Sequence, residues 1–260
     1  MIRTVAATRY VTPLREGGSL PAIVEADDLG LYVLKFRGAG QGPKALIAEL
    51  VVGELARAAG LRVPEIVFGQ LSLELGRMEP HDEIRDLLLA SGGLNLALDY
   101  LPGSVMFDPA VGPAPDAALA SALVAFDAFT MNVDRTAKNP NLLEWHNQLW
   151  LIDHGAALYF HHAWASRDTA VHSTFTSVKD HVLLPWATAV PEAWQGIAAR
   201  LTVEVIDGVV ALIPGEWLGT AGDFASHEEH RAAYASFLKQ RLAASGPFIQ
   251  EAVRAQAQHV

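Results

Sequence analysis

Asp134 and Asn139, five residues apart in Asn132-Val133-Asp134-Arg135-Thr136-Ala137-Lys138-Asn139, are followed after a short apolar run by Asp153 in Leu151-Ile152-Asp153-His154-Gly155. Phosphoryl transfer needs one oxygen group to position a nucleophile and others to hold Mg²⁺ on the phosphates. Asp134 can accept or orient a hydroxyl proton. Asn139 and Asp153 offer hard oxygens to a Mg²⁺ ion, and Lys138 can reach a transferred phosphate. An Asx turn followed by a surface hairpin is the ordinary alternative.

Upstream, Lys35 lies inside the apolar run Tyr32-Val33-Leu34-Lys35-Phe36. A lysine desolvated there needs an anion beside it, and kinases place such a strand lysine on the nucleotide phosphates, paired with a helix glutamate. A solvent-facing edge lysine is the competing reading. Glu49 shares a helical face with the small residues Ala45, Gly53 and Ala56, which lets that face approach a sheet with Glu49 within reach of Lys35; Glu54 competes for that role. Gly17, Gly18 and Ser19 form a glycine turn whose N–H groups can approach phosphate oxygens. Two glycines in a turn are often only a turn, and no Walker pattern exists in the chain.

These side chains need elements to position them. Residues 5–11, 22–26 and 31–36 read as strands, the last two joined by the Asp27-Asp28-Leu29-Gly30 turn. Pro43 opens a helix that stops at Gly60, with proline at the start and glycine past the end. Residues 64–75 read as a strand, 80–92 as a helix and 94–101 as another strand. The apolar stretch 116–131 reads as a long helix ending just before Asp134. A hairpin turns around His146-Asn147, and the chain from about residue 183 is mostly helical, with helices near 228–245 and 248–257. The pattern predicts an α+β fold with a cleft between two lobes, about 1–101 and 102–260. The six tryptophans are expected in the core.

Composition narrows the function classes. With 260 residues, 51% hydrophobic and 18% charged, the chain is globular rather than disordered. A net charge of −10 without a Lys/Arg cluster argues against nucleic acid or an anionic membrane as partner. The absence of cysteine removes disulfides, thiolate zinc sites and thiol catalysis and fits a cytoplasmic protein. Neither a signal-peptide shape nor a membrane-spanning run is present. His161-His162 and His227-Glu228-Glu229-His230 do not match the zinc helix pattern.

The order of parts (glycine turn, strand lysine, helix glutamate, Asp-x4-Asn loop, strand and Ile-Asp-x-Gly) resembles the protein-kinase-like series, and most closely the HipA-like kinases. These are bacterial serine/threonine kinases whose best-known members are toxins of toxin–antitoxin pairs. The resemblance rests on Gly17 to Pro21, Leu34-Lys35, Glu49 with Leu55 to Pro64, Asn132-x-Asp134-x-x-x-Lys138-Asn139 and Ile152-Asp153-x-Gly155. The loop is also similar to the Asp-Arg-His-x-x-Asn of phosphatidylinositol kinases, with Thr136 at the histidine.

This resemblance implies a two-lobed protein-kinase-like fold, a strand-rich N-lobe and a mostly helical C-lobe. It implies ATP on Gly17, Gly18, Ser19 and Lys35, with Glu49 orienting Lys35 and a hinge at Asp99, Tyr100 and Leu101 meeting adenine; residues 71–78 are a competing hinge strand. Asp134 is then the catalytic aspartate, aided by Lys138, and Asn139 and Asp153 hold Mg²⁺. The expected reaction transfers the γ-phosphoryl group to a hydroxyl, a Ser or Thr of a protein. A small-molecule phosphotransferase of the aminoglycoside-kinase type, or a nucleotide-binding pseudokinase scaffold, are the alternatives. His154 stands where the usual Asp-Phe-Gly has phenylalanine. The sequence begins almost at the glycine turn, so the extra N-terminal subdomain of the best-known toxins is expected to be missing, and no antitoxin partner is implied.

Overall fold

Five strands close into a barrel in the computed structural model, which describes residues 2–14, 20–40, 42–111, 113–219 and 224–258. They are β1 (Thr4–Pro13), β2 (Ala22–Ala26), β3 (Leu31–Lys35), β4 (Ile66–Leu71) and β5 (Gly93–Asp99), in the order β1-β2-β3-β5-β4. Neighbours run antiparallel, except that β1 closes on β4 in parallel through Thr4↔Phe68, Val5↔Gly69 and Ala6↔Gln70. Alternation sorts the side chains. Ala22, Val24 and Ala26 of β2 and Tyr32 and Leu34 of β3 fill the barrel with Val5, Val67 and Ala97. Ile23, Val33 and Lys35 are therefore left on the outer face, where Ile23 is the register partner of Val33.

Helix α1 (Pro43–Ala58) lies on that outer face. Pro43 sets its start, and Gly60 at φ 87 stops it, a left-handed value that glycine adopts without strain. Leu46 to Gly53 are buried without interruption, so α1 is covered on every side rather than along one stripe. Gly53 permits the approach to β4: a Cβ there would stand 2.5 Å from Ile66 Cδ1. After β4 the sequence-expected strand ends at Leu71. Ser72 caps Glu74 N and starts the short helix α2 (Leu73–Arg77), which corrects the strand reading of 64–75 and removes 71–78 as a hinge candidate. Helix α3 (Asp82–Ala90) follows and leads into β5.

Beyond β5, the short strand β6 (Val105–Met106) joins β7 (Leu142–Trp145) and β8 (Gln148–Leu151) in a second sheet of order β6-β7-β8. His146 and Asn147, at φ 50 and 58, make the tight turn between β7 and β8. Helix α4 (Ala117–Thr130) is capped by Asp116, whose side chain accepts from Leu119 N. The remaining helices are α5 (Arg167–Val171), α6 (Val190–Ala198), α7 (Val203–Val210), α8 (His227–Ala243) and α9 (Gly246–Gln256). The larger apolar cluster runs from α1 and the outer-facing Leu96 and Leu98 of β5 into α4, α6, α8 and α9. The α+β expectation is borne out. The tryptophan expectation is corrected: Trp194 and Trp217 are buried, whereas Trp145, Trp150, Trp164 and Trp186 keep part of their surface exposed. Among the described residues no helix is long and apolar enough to cross a membrane.

Arg241 of α8 fixes the end of α4. Its fully buried guanidinium donates to the carbonyls of Ala128, Phe129, Ala170, Val171 and Ser173 at 2.7–3.1 Å. Burial without a carboxylate partner pulls its pKa down to about 10. Replacing it orphans carbonyls at the helix end that launches the Asp134 loop. Arg241→Met is expected to lower unfolding stability by about 3 kcal/mol or more, whereas Arg254→Met, which loses only an exposed pair with Glu251, leaves the urea midpoint in place.

Candidate active site

Lys35 ends β3 with its ammonium between two carboxylates. Nζ donates to Glu49 Oε2 of α1 at 2.8 Å and to Asp153 Oδ1 at 2.6 Å. Glu49 is fully buried, whereas the Asp153 side chain is 40% exposed, so the cluster opens on the Asp153 side. Burial favours the neutral amine of Lys35, but the two carboxylates outweigh it and hold the ammonium above the ordinary lysine range. Glu49 behaves conversely: burial favours its acid form, and the Lys35 charge, helped by His154, keeps it ionised. Glu54, the competing glutamate, pairs instead with Arg57 at 3.6 Å.

The second half of the site hangs from α4. Met131, at φ 56, caps the helix in the left-handed region and turns the chain into residues 132–141. Beneath this loop, Asp127 accepts from Arg135 Nε at 2.5 Å and Asn132 Nδ2 at 3.3 Å, and meets His181 Nε2 at 3.0 Å. Arg135 also donates to the Asn141 carbonyl, and Thr136 forms an isolated bridge with His181. Arg135 is 1% exposed and cannot meet a ligand. Burial would raise the Asp127 carboxyl, but Arg135 and His181 hold it well below the usual carboxylate range.

This sealed network leaves Asp134 half-buried at the surface of the loop. Asn139 Nδ2 and Asn141 Nδ2 both donate to its Oδ2, at 2.7 and 3.3 Å. Oδ1 accepts no hydrogen bond among the described residues and is the atom available to a hydroxyl proton. Burial, with the Asp153 charge adding to it, pushes the Asp134 carboxyl above its ordinary value, against the pull of Asn141 and Asn139. Asp153, separated from the end of β8 by Ile152, sits at φ 55, a strained conformation for a non-glycine residue.

The donor set suits Mg²⁺. Among the described residues no three His, Asp or Glu side chains gather into a ready-made cage. Mg²⁺ is commonly held by one or two carboxylates together with substrate phosphates; Asp153 offers such a carboxylate and the Asn139 amide a further hard oxygen. The three residues expected at the hinge differ in how their backbone N–H groups are used. Asp99 N donates to Glu65 O and Tyr100 N to Leu31 O, so these two hinge N–H groups are already used. Leu101 is buried, yet its N–H meets no acceptor among the described residues. The half-buried Ile23 and Val33 share the face of Lys35 and supply an apolar surface.

The other expectations divide. Gly17, Gly18 and Ser19 lie outside the described residues. Lys138 is exposed and makes no ion pair among the described residues. Asp99 pairs in register with the inward-facing Tyr32, so by alternation its carboxyl projects away from the Lys35 face. A cavity of about 450 Å³, lined by Arg57, Arg62, Asp99, Leu101, Trp145 and Trp150 among others, takes in none of Lys35, Asp134, Asn139 or Asp153. Sequence reasoning did not give roles to Asp127, Arg135, Asn141 or His181. The available signal was Asp127 itself, a lone acid inside an apolar helix.

A sequence model described as HipA-like kinase matches residues 8–244. Among solved structures, the chain is similar to the crystal structure of a Helicobacter pylori proinflammatory kinase, CtkA, with a TM-score of 0.57 at 12% identity over 99% of this chain and 98% of that one. At that identity the likeness is one of fold. No curated protein matches the sequence.

Asp127 gives the site a test of its scaffold. Its depressed carboxyl stabilises the fold fully above the unfolded value of about 4 and loses that contribution as pH falls toward its folded value. Asp127→Asn is expected to cost about 3 kcal/mol or more at pH 7, by stranding Arg135. The variant also loses part of the acid dependence seen in urea unfolding of the wild type.

Proposed function

This chain belongs to the HipA-like kinase family, and from that premise we propose that it is an ATP- and Mg²⁺-dependent phosphotransferase acting on a Ser or Thr hydroxyl of a protein. The observation that carries the ATP reading is the Lys35 ammonium held between Glu49 and Asp153. A buried cation fixed by a helix glutamate, next to a partly exposed carboxylate at a strand end, is the arrangement that neutralises nucleotide phosphates. In this reading residues 1–101 and 102–260 are two lobes with the nucleotide between them, and the Leu101 N–H faces the adenine.

Each side chain then has one task. Lys35 draws charge from the α- and β-phosphates while Glu49 retains it. Asp153 and Asn139 hold Mg²⁺, which when bound neutralises charge developing on the phosphate oxygens. Asp134 Oδ1 orients the acceptor hydroxyl and takes its proton as the oxygen bonds to the γ-phosphorus and the bond to ADP breaks. Lys138, exposed on the same loop, meets the transferred group in this reading. Positioning and charge neutralisation supply the rate. The full set of Lys35, Asp134, Asn139 and Asp153 weighs against a turnover-free scaffold.

Thermal shift with Mg²⁺-ATP and transfer from labelled ATP test the assignment. Wild type is expected to be stabilised by Mg²⁺-ATP and to transfer phosphate. Asp153→Asn is expected to lose most of the stabilisation, whereas Asp134→Asn keeps it and loses transfer by roughly 10²–10⁴-fold. A wild-type protein that Mg²⁺-ATP does not stabilise would sink the reading.

The same roles fix a pH dependence. Asp134 must be ionised to take a proton, and its carboxyl lies above the ordinary range. kcat/KM should therefore fall on the acid side with a midpoint above that of an ordinary aspartate. Asn141→Ala, which removes a donor that holds the carboxyl down, should move this midpoint to higher pH. A midpoint unmoved by Asn141→Ala would exclude Asp134 as the titrating group.

A further inference from the structure

We propose that His154 is a positioning residue, which donates a hydrogen bond from Nδ1 to Glu49 Oε1 and ties helix α1 to the segment that carries Asp153. What it positions, Lys35 on the nucleotide, rests on the kinase reading above; the contact itself does not. Glu49 and His154 are both fully buried. Lys35 occupies only one oxygen of Glu49, Oε2. Among the described residues the other, Oε1, has no hydrogen-bond partner, and neither has either ring nitrogen of His154. His154 Nδ1 stands 3.5 Å from Oε1, at the outer edge of hydrogen-bond reach.

A buried carboxylate oxygen without a donor is costly, and among the described residues this imidazole is the donor at hand. A neutral imidazole carries one proton. On Nδ1 that proton satisfies Oε1. On Nε2 it would leave the Nδ1 lone pair facing the carboxylate. The geometry therefore selects the Nδ1–H tautomer.

The tie closes a ring. Asp153 holds Lys35, Lys35 holds Glu49, Glu49 is held by His154, and His154 is the chain neighbour of Asp153. With Asp153 engaged on a cation, Lys35 keeps Glu49 as its anchor, and the His154 bond keeps Glu49 from rotating away. A phenylalanine could fill the same space but would leave Oε1 without a donor.

Three variants and one spectrum test this. His154→Phe preserves shape without the donor, and His154→Asn returns an N–H close to the Nδ1 position. His154→Phe is expected to lower kcat/KM for ATP by roughly tenfold or more, and His154→Asn to restore most of that loss, with thermal unfolding reporting that both fold. In a Glu49→Gln background, His154→Phe should have little further effect. Full activity in His154→Phe, or an Asn variant as impaired as the Phe variant, overturns the proposal while the kinase reading stands. Independently of turnover, ¹⁵N–¹H spectra of the nucleotide-free protein labelled at histidine should show an Nδ1–H tautomer that disappears in His154→Asn. An Nε2–H tautomer overturns the proposal. A wild type that shows the Nδ1–H tautomer and no transfer from Mg²⁺-ATP overturns the kinase reading and supports the tie.

Discussion

One ammonium group holds three separate elements in register. Lys35 from β3 meets Glu49 from α1 and Asp153 from the segment just past β8, across sequence separations of 14 and 118 residues. Such a cluster adds little net stability, because desolvating the charges offsets most of their attraction. Its contribution is geometric. Any shift of α1 away from the barrel, or of the β7–β8 hairpin away from α1, would strand a buried charge. The all-round burial of α1, the close approach at Gly53 and the bond from Leu151 N to Arg62 O are the packing that makes this juxtaposition rigid.

A second charged cluster lies nearby, and the contrast between the two is informative. Around Asp127, Arg135 and His181 every group is closed off from water. Around Lys35, the Asp153 carboxylate keeps a large exposed fraction. A sealed network can fix backbone but cannot meet a substrate; an open one can exchange a protein partner for a ligand. Asp134 and Arg135, adjacent in sequence, fall on opposite sides of this division. Arg135 goes inward to Asp127, and Asp134 remains outside with one oxygen held by two amides and the other accepting nothing among the described residues. The loop thus buries one charged side chain as its anchor and leaves the preceding one partly exposed.

Much of this was legible in the sequence where a local rule applied. Pro43 and Gly60 bracketed α1, the Asp27–Gly30 turn marked the β2–β3 hairpin, and a lysine within an apolar strand left a buried counterion and a solvent-facing edge as competing readings, which Glu49 and Asp153 decide for the first. Helical spacing left Glu49 and Glu54 as competitors, the family resemblance pointed to Glu49, and the structure pairs Glu49 with Lys35. What escaped depended on distant partners. Barrel closure through β1 and β4 joins residues more than sixty positions apart and leaves no periodic trace in either strand. Ser72 converts an apolar stretch to helix by a single cap. The four partly exposed tryptophans show that aromatic content alone does not locate a core. The glycine turn lies outside the described residues.

The backbone at Asp153 connects these observations. A non-glycine residue in the left-handed region costs about 1–2 kcal/mol, and here it falls on the carboxylate that shares Lys35 with Glu49. Immediately before it, β8 is pinned by the Leu151 N–Arg62 O bond and by pairing with β7; immediately after it, His154 is buried against Glu49. The strained residue is thus fixed on both sides while its own side chain remains partly exposed. Aspartate tolerates that conformation better than most residues, and the tertiary constraint on both sides holds it there. The constraint holds a partly exposed carboxylate against a lysine whose other partner, Glu49, is fully buried, so the cluster meets solvent on the Asp153 side alone of its two carboxylates.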